Sequence, residues 1–206
     1  MPNYSIAGLR AYGTADMEVA QSSRVRTLRE DQVRLGLWMF LATVTMLFAA
    51  FTSAYVVRRS GSDWRHVALP PILWLNTLIL AGSSLAVEAA SRSGLRGRWH
   101  QAMVAMMSAL ASGIAFLLGQ FAAWWQMVAA GVYLPSSPHS SFFFMLTGAH
   151  ALHLVAALVV LVWGAMATRS GHRDPREWAA QMGICRTFWH YLGGVWLFLF
   201  ALLSLY

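Results

Sequence analysis

Two histidines, His150 and His153, lie in the middle of a long apolar stretch, and a third, His190, begins another. The stretch from Ser140 to Thr168 contains no Asp, Glu, Lys or Arg, and it is long enough to cross a bilayer. Ionisable side chains at that depth are costly, so they normally face the protein interior and meet a partner or a functional path. These three histidines are therefore the first candidates for chemistry in this chain.

Three kinds of role fit these histidines. Because they are three residues apart, His150 and His153 share a helix face, where neutral imidazoles can hydrogen-bond neighbouring helices or a lipid headgroup. Two histidines one turn apart can also share a metal ion; they cannot sandwich a haem, which would need His190 as the opposite ligand. The third role is a proton relay. Three intramembrane histidines are too few for a redox centre with a coupled metal, so the structural role is favoured.

A second set of polar residues follows one face of another apolar stretch. Asn76 and Ser83 are seven residues apart, close to two helical turns, and Ser84 lies four residues, about one turn, before Glu88. Glu88 has two interpretations: it reaches the headgroups or pairs with Arg92 at i+4, or it is buried against a histidine of another helix or lines a proton or lipid site. With the three histidines, Asn76 and Glu88 complete the predicted lipid-binding or structural polar site.

The composition defines the class of protein in which these residues act. The 206-residue chain is 58% hydrophobic and 11% charged, whereas soluble domains are about 25% charged. Its charge-free gaps predict an all-α integral membrane bundle of five transmembrane helices. The predicted spans lie near Leu35–Val57, Pro70–Ala90, Gln101–Val128, Ser140–Ala167 and Thr187–Leu205.

The distribution of arginine predicts the orientation of the bundle. The net charge of +7 comes without any lysine, and twelve of the fifteen arginines fall in the N-terminal segment and in alternate loops. The positive-inside rule therefore predicts a cytoplasmic N-terminus and a C-terminus outside. Because these arginines are spread over loops, no nucleic-acid partner is expected. The predicted organisation is a polar cytoplasmic segment at 1–34 and a five-helix membrane domain at 35–206.

Motifs of an active site are missing from the sequence. There is no phosphate-binding glycine loop and no hydrolase-like order of Ser, His and Asp. The single cysteine, Cys185, is expected to be an inert thiol in a cytoplasmic loop. Gln120 and Gln126 flank the pair Trp124-Trp125, a pattern typical of an interfacial belt. We therefore assign no catalytic residue and no metal site to this chain.

Four groups of residues, in this order, carry a resemblance to a known family. They are Phe40-Leu41-Ala42-Thr43 with Met46-Leu47-Phe48 and Ala54-Tyr55, Leu75-Asn76-Thr77-Leu78 with Ser83-Ser84 and Glu88, Thr147-Gly148-Ala149-His150-Ala151-Leu152-His153, and Trp189-His190-Tyr191 with Val195-Trp196. The chain from about Leu35 to Tyr206 thereby resembles subunit III of the haem–copper terminal oxidases, the cytochrome c oxidase family. Five helices are typical of the short bacterial form that lacks the first helix pair.

The resemblance implies a non-catalytic membrane subunit of an oxidase that reduces O2, pumps protons and serves aerobic respiration in the bacterial plasma membrane. It implies packing on the catalytic subunit I, with subunit II in the same complex and a larger respiratory supercomplex as a further partner. It also implies bound phospholipid, support of proton uptake, and haems and coppers held by other subunits. By this analogy Asn76, Glu88, His150, His153 and His190 are structural or lipid-site groups.

Two positions depart from the family pattern. Many members have an acidic residue where this chain has Val44, and an Asp where it has Gly193, so proton-related roles of those carboxylates do not transfer. Two alternatives stay open: subunit III of a quinol oxidase or nitric oxide reductase-type complex, and a small membrane haem or metal protein ligated by histidine.

Overall fold

The computed structural model describes residues 6–61, 64, 69–169 and 175–205, with side chains from residue 31 onward except at 175 and 176. Residues 1–5 of the predicted polar segment lie outside these ranges. Within them, every regular element is an α helix. The helices are α1 (Ile6–Arg58), α2 (Ile72–Leu95), α3 (Trp99–Ala129), α4 (Pro138–Arg169) and α5 (Pro175–Leu205).

The five predicted spans are confirmed as helices. Each helix contains a segment that is long and apolar enough to cross a membrane. α1 begins at Ile6 and so extends through most of the segment that the sequence identifies only as polar. The chain divides into two compact units, Met1–Phe40 and Leu41–Tyr206; the first is the N-terminal part of α1, and the second contains the rest of the bundle.

The start of α5 and the place of Cys185 differ from the prediction. α5 begins at Pro175, well before the predicted start at Thr187. The prediction placed helices only in stretches free of charged residues, and the segment before Thr187 carries several. That segment has a buried helical stripe, Trp178, Met182 and Cys185. Cys185 is therefore not in a loop: it is buried in α5, and its Sγ lies 3.4 Å from the Val160 carbonyl oxygen of α4.

Four helices of the second unit form its core. α2 and α3 are an antiparallel pair joined by a short turn, in which Gly97 has a φ of 71°, a conformation that favours glycine. α5 packs against α2 and α4, and α3 packs against α4. The largest fully buried side chains include Phe116 of α3 and Trp189 and Trp196 of α5.

The membrane part of α1 packs less closely than the other helices. Its buried apolar residues in the second unit are Leu41, Val44, Phe48 and Tyr55. Phe48 lies against the ring of His153 in α4, with centroids 5.7 Å apart. This sparse contact leaves open space on both sides of α1.

Tryptophan side chains join the core helices by a repeated hydrogen bond. Four indole N–H groups each donate to a Ser or Thr hydroxyl of another helix, at 3.0 Å in every case. Each hydroxyl in turn donates to a carbonyl of its own helix. The four pairs are Trp124–Thr147, Trp178–Thr168, Trp189–Ser83 and Trp196–Thr77. Because lipid offers no hydrogen-bond partner, this arrangement satisfies the indoles within the protein.

Candidate functional site

Asn76 is a buried contact between α2 and α3. Its side chain is 1% exposed, and its Nδ2 donates to the carbonyl oxygen of Phe116 at 3.3 Å. Gly119, one turn further along α3, leaves the space that the Asn76 amide fills. The structure thus places Asn76 inside the closest helix pair of the bundle.

Glu88 lies near the end of α2 and makes two ion pairs. Its Oε1 accepts a hydrogen bond from Arg92 Nε at 2.9 Å, the pairing at i+4 that the sequence allows. Its Oε2 lies 3.6 Å from a guanidinium nitrogen of Arg186 in α5. His190 lies one turn further along α5 than Arg186. Glu88 therefore joins α2 to α5 mainly through Arg186, with His190 as the nearby histidine.

His150 is enclosed by aromatic rings in the core. It is fully buried, and its ring centroid lies 6.0 Å from that of Phe116 in α3 and 5.3 Å from that of Trp196 in α5. Both ring nitrogens lack a hydrogen-bond partner among the described residues. His150 is thus held by α3 and α5, on the side of α4 that faces the core.

His153 and His190 are held on other surfaces than His150. His153 Nδ1 lies 2.7 Å from the carbonyl oxygen of Ala149 in its own helix, and the ring faces α1. His190 is exposed on α5. The five predicted residues therefore do not form one site. Asn76 lies in the α2–α3 contact, Glu88 lies in the ion pairs between α2 and α5, and each of the three histidines has its own environment.

An apolar groove separates α1 from α5, and we call it the α1–α5 groove. It has a volume of about 720 Å³. Its walls are Thr45, Phe48, Ala49, Thr52 and Ser53 of α1 and His190, Tyr191, Gly194, Val195 and Phe198 of α5. At one end, Tyr191 Oη lies 2.7 Å from Thr45 Oγ1 and 3.2 Å from the carbonyl oxygen of Leu41. The tyrosine therefore ties the two helices together where the groove begins.

A second and larger cavity lies where α1 ends and α4 begins. It has a volume of about 1450 Å³ and is lined by the last turns of α1, with Arg58, and by the segment 135–142. Serine hydroxyls form much of its polar surface, with Ser60, Ser136 and Ser141 among them. Phe142, one of the lining residues, meets the ring of the buried Tyr55 edge-on, with ring centroids 5.6 Å apart.

The described residues offer no ready metal site. They contain no group of three or more His, Cys, Asp and Glu side chains placed to hold a metal ion. His150 is surrounded by Phe116 and Trp196 while His190 faces the α1–α5 groove, so the pair does not present opposed ligands to one haem. The fold and these positions define a polytopic membrane protein whose polar groups join helices.

Comparison with known proteins shows the family to which this membrane protein belongs. The family model described as cytochrome c oxidase subunit III matches residues 17–206. The chain is 30% identical to the cytochrome c oxidase subunit 3 of Corynebacterium diphtheriae over 205 residues, covering 92% of this chain and 95% of the relative. It is 28% identical to a probable cytochrome c oxidase subunit 3 of Mycobacterium leprae, covering 89% and 93%. A haem–copper oxidase subunit I+III of Aeropyrum pernix is 23% identical over 183 residues, which is 84% of this chain and 22% of that protein.

The chain belongs to the cytochrome c oxidase subunit III family. It is thus a multi-pass protein of the bacterial plasma membrane and part of an oxidoreductase complex, in which it associates with the catalytic oxidase subunits. The resemblance drawn from the sequence motifs is confirmed.

Several residues that the sequence did not single out define these contacts. Arg186 is one of the arginines that the charge pattern places in a cytoplasmic loop, yet it lies in α5 and pairs with Glu88. Thr45 Oγ1 donates to the carbonyl oxygen of Leu41 in its own helix and also lies 2.7 Å from Tyr191 Oη of α5. Gln120 was assigned to an interfacial belt and is instead 1% exposed in the core. The helical spacing of Gln120 from Phe116, four residues, is the signal that could have revealed this.

Proposed function

We propose that this chain is the non-catalytic subunit III of a cytochrome c oxidase, packed on subunit I in a complex that also contains subunit II. The observation that carries this proposal is the relative named as subunit I+III of a haem–copper oxidase, because the joining of the two subunits in one protein favours their lying side by side. The names of the bacterial relatives favour cytochrome c over quinol as the electron donor. Haems and coppers belong to the partner subunits, and this chain supplies no catalytic residue.

We propose further that the α1–α5 groove binds an acyl chain of a phospholipid. The exposed surface of the groove is almost wholly apolar, and the groove lies between two helices that are long and apolar enough to span the membrane. Water is not a stable occupant of such a surface, whereas an acyl chain matches its chemistry. His190 lines the groove. Arg186, one turn earlier on α5, has a side chain that is 44% exposed and can bind a lipid phosphate.

Glu88 supports this arrangement by holding Arg186. The ion pair joins α2 to α5 beside the end of the groove, so it fixes the helix that forms one wall. A firmly held subunit and its lipid would keep the environment of the catalytic subunit constant during turnover. In this way the chain would support proton uptake. A complex built in this way also presents a membrane surface on which a larger respiratory supercomplex can form.

Purification of the tagged chain from its native membranes in a mild detergent tests the proposal. We expect it to elute with a large haem-bearing subunit, and we expect the haem spectrum to disappear from this chain when that subunit is stripped away. Elution of the chain alone with a stoichiometric haem or metal would contradict the proposal. A His150→Ala variant sharpens the test, since the spectrum of the complex should not change.

A further inference from the structure

Gln120 and His150 are two polar side chains that are buried without hydrogen bonds. Gln120 is 1% exposed and His150 is fully buried. Both amide atoms of Gln120, Oε1 and Nε2, and both ring nitrogens of His150 lack a partner among the described residues. Polar groups in a membrane core are nearly always satisfied internally, because each unpaired group carries a desolvation cost.

The two side chains lie at the same level of the α3–α4 contact. Phe116, one turn before Gln120 on α3, is in ring contact with His150. Trp124, one turn after Gln120, donates its indole hydrogen bond to Thr147, which is three residues before His150 on α4. Gln120 is thus bracketed on α3 by two residues that both touch the His150 region of α4.

We propose that this chain holds an internal water molecule between the Gln120 amide and the His150 imidazole. A neutral imidazole has one donor and one acceptor nitrogen, and an amide has one acceptor oxygen and a donor nitrogen. One water can accept from the imidazole N–H and donate to Gln120 Oε1, and buried waters typically make about three such bonds. The water thereby links α3 to α4 through hydrogen bonds, next to the aromatic contact between Phe116 and His150.

The site is distinct from the contacts that bind other helices. Asn76 Nδ2 donates to the carbonyl oxygen of Phe116, while the Gln120 amide has no hydrogen-bond partner among the described residues. His153, one turn after His150 on α4, is held by its own helix and by α1. The water site therefore consists of one residue from each of two helices.

A map of the intact oxidase complex, at a resolution that shows ordered waters, tests the proposal directly. We expect a peak at about 2.7–3.2 Å from a Gln120 amide atom and from a His150 ring nitrogen. A direct bond from the amide to the imidazole with no peak between them would overturn the proposal. So would two unpaired side chains with no density beside them.

A double-mutant cycle gives an independent readout in the same complex. Gln120→Leu and His150→Phe each leave one side chain of the pair unsatisfied, so each should lower the melting temperature of this subunit and remove the peak. The double variant should melt above both single variants, because it leaves no orphaned polar group. Gln126→Leu, the matched control at an exposed position of α3, should leave both the melting temperature and the peak unchanged. Additive losses in the double variant would contradict the water bridge.

Discussion

The indole nitrogen of Trp196 in α5 donates a 3.0 Å hydrogen bond to Thr77 Oγ1 in α2. The same hydroxyl donates to the carbonyl oxygen of Leu73 at 2.8 Å. Threonine can therefore serve two groups at once, because its hydroxyl has one hydrogen to give and two lone pairs to accept with. The indole thereby gains a hydrogen-bond partner inside the protein. The bond also favours one register of packing between α2 and α5.

Thr77→Val should destabilise the bundle by about 1–3 kcal/mol, because valine has the same shape but leaves the Trp196 N–H buried without an acceptor. Thr77→Ser should keep most of the stability. The unfolding of this chain within the complex can be followed by alkylation of Cys185, which is 2% exposed and becomes reactive only when α5 opens.

Thr52→Val is the matched control for that experiment. The hydroxyl of Thr52 is buried but has no hydrogen-bond partner among the described residues. Its loss should therefore leave the stability unchanged or raise it slightly. Equal losses for Thr77→Val and Thr52→Val would show that the indole bond does not stabilise the fold.

Gly119→Ala should weaken the contact between α2 and α3. A Cβ at Gly119 would overlap the Asn76 side chain, so the amide must move and lose its bond to the Phe116 carbonyl. We expect a loss of about 1–3 kcal/mol in thermal or denaturant unfolding. Asn76→Ala in the Gly119→Ala background should not add a full second loss, since the overlap has gone.

Gly82→Ala separates this effect from helix propensity. Gly82 lies in α2 with nothing near the position of a Cβ, so alanine there should gain about 0.5–1 kcal/mol. A loss at Gly82 as large as that at Gly119 would mean that glycine flexibility, rather than the Asn76 contact, is what α2 and α3 require.

The membrane part of the fold could be predicted because lipid permits few backbone structures. Long charge-free gaps in a chain that must satisfy every peptide group allow only helices or closed barrels, and this predicted five helices correctly. The start of α5 could not be obtained in the same way. Glu177 and Arg186 interrupt the gap there, yet Trp178, Met182 and Cys185 bury one stripe of the helix.

The environments of similar residues could not be predicted from the sequence. Gln120 and Gln126 flank the same tryptophan pair, but they are six residues apart, about one and two-thirds turns, so one is in the core and the other is exposed. His150 and His153 share a face by spacing. Because α4 is packed between α3 and α5 on one side and α1 on the other, the two rings meet different helices.

Glu88→Ala should loosen the subunit's hold on lipid and on its partner. The change frees Arg186 and removes the ion pair that joins α2 to α5 beside the α1–α5 groove. The stability loss itself should stay below about 1 kcal/mol, because the pair is partly exposed to solvent and headgroups. Bound phospholipid and the amount of this subunit retained in the purified complex are the quantities to measure.

Arg92→Gln is the control for Glu88→Ala. It removes the bond within α2 but leaves the Glu88–Arg186 pair between helices. Lipid content and subunit retention should then match those of the unaltered complex. Unchanged values in the Glu88→Ala complex itself would count against a role for this carboxylate in holding lipid or partner.

Gly194→Leu should expel the acyl chain from the α1–α5 groove without disturbing the protein. Gly194 lines the groove, and a Cβ there meets no other atom of the chain, so a leucine can occupy only the space that the lipid would fill. We expect less co-purified phospholipid per complex and an unchanged melting temperature.

Gly148→Leu provides the comparison, because Gly148 of α4 also has open space at its Cβ but lies outside the groove. Its lipid content should equal that of the unaltered complex. If both leucine variants retain the same phospholipid as the unaltered complex, the groove is not where lipid binds, and the space between α1 and α5 must instead be filled by a side chain or helix of the catalytic subunit. Chemical cross-linking from a cysteine placed at Gly194 would then identify that neighbour.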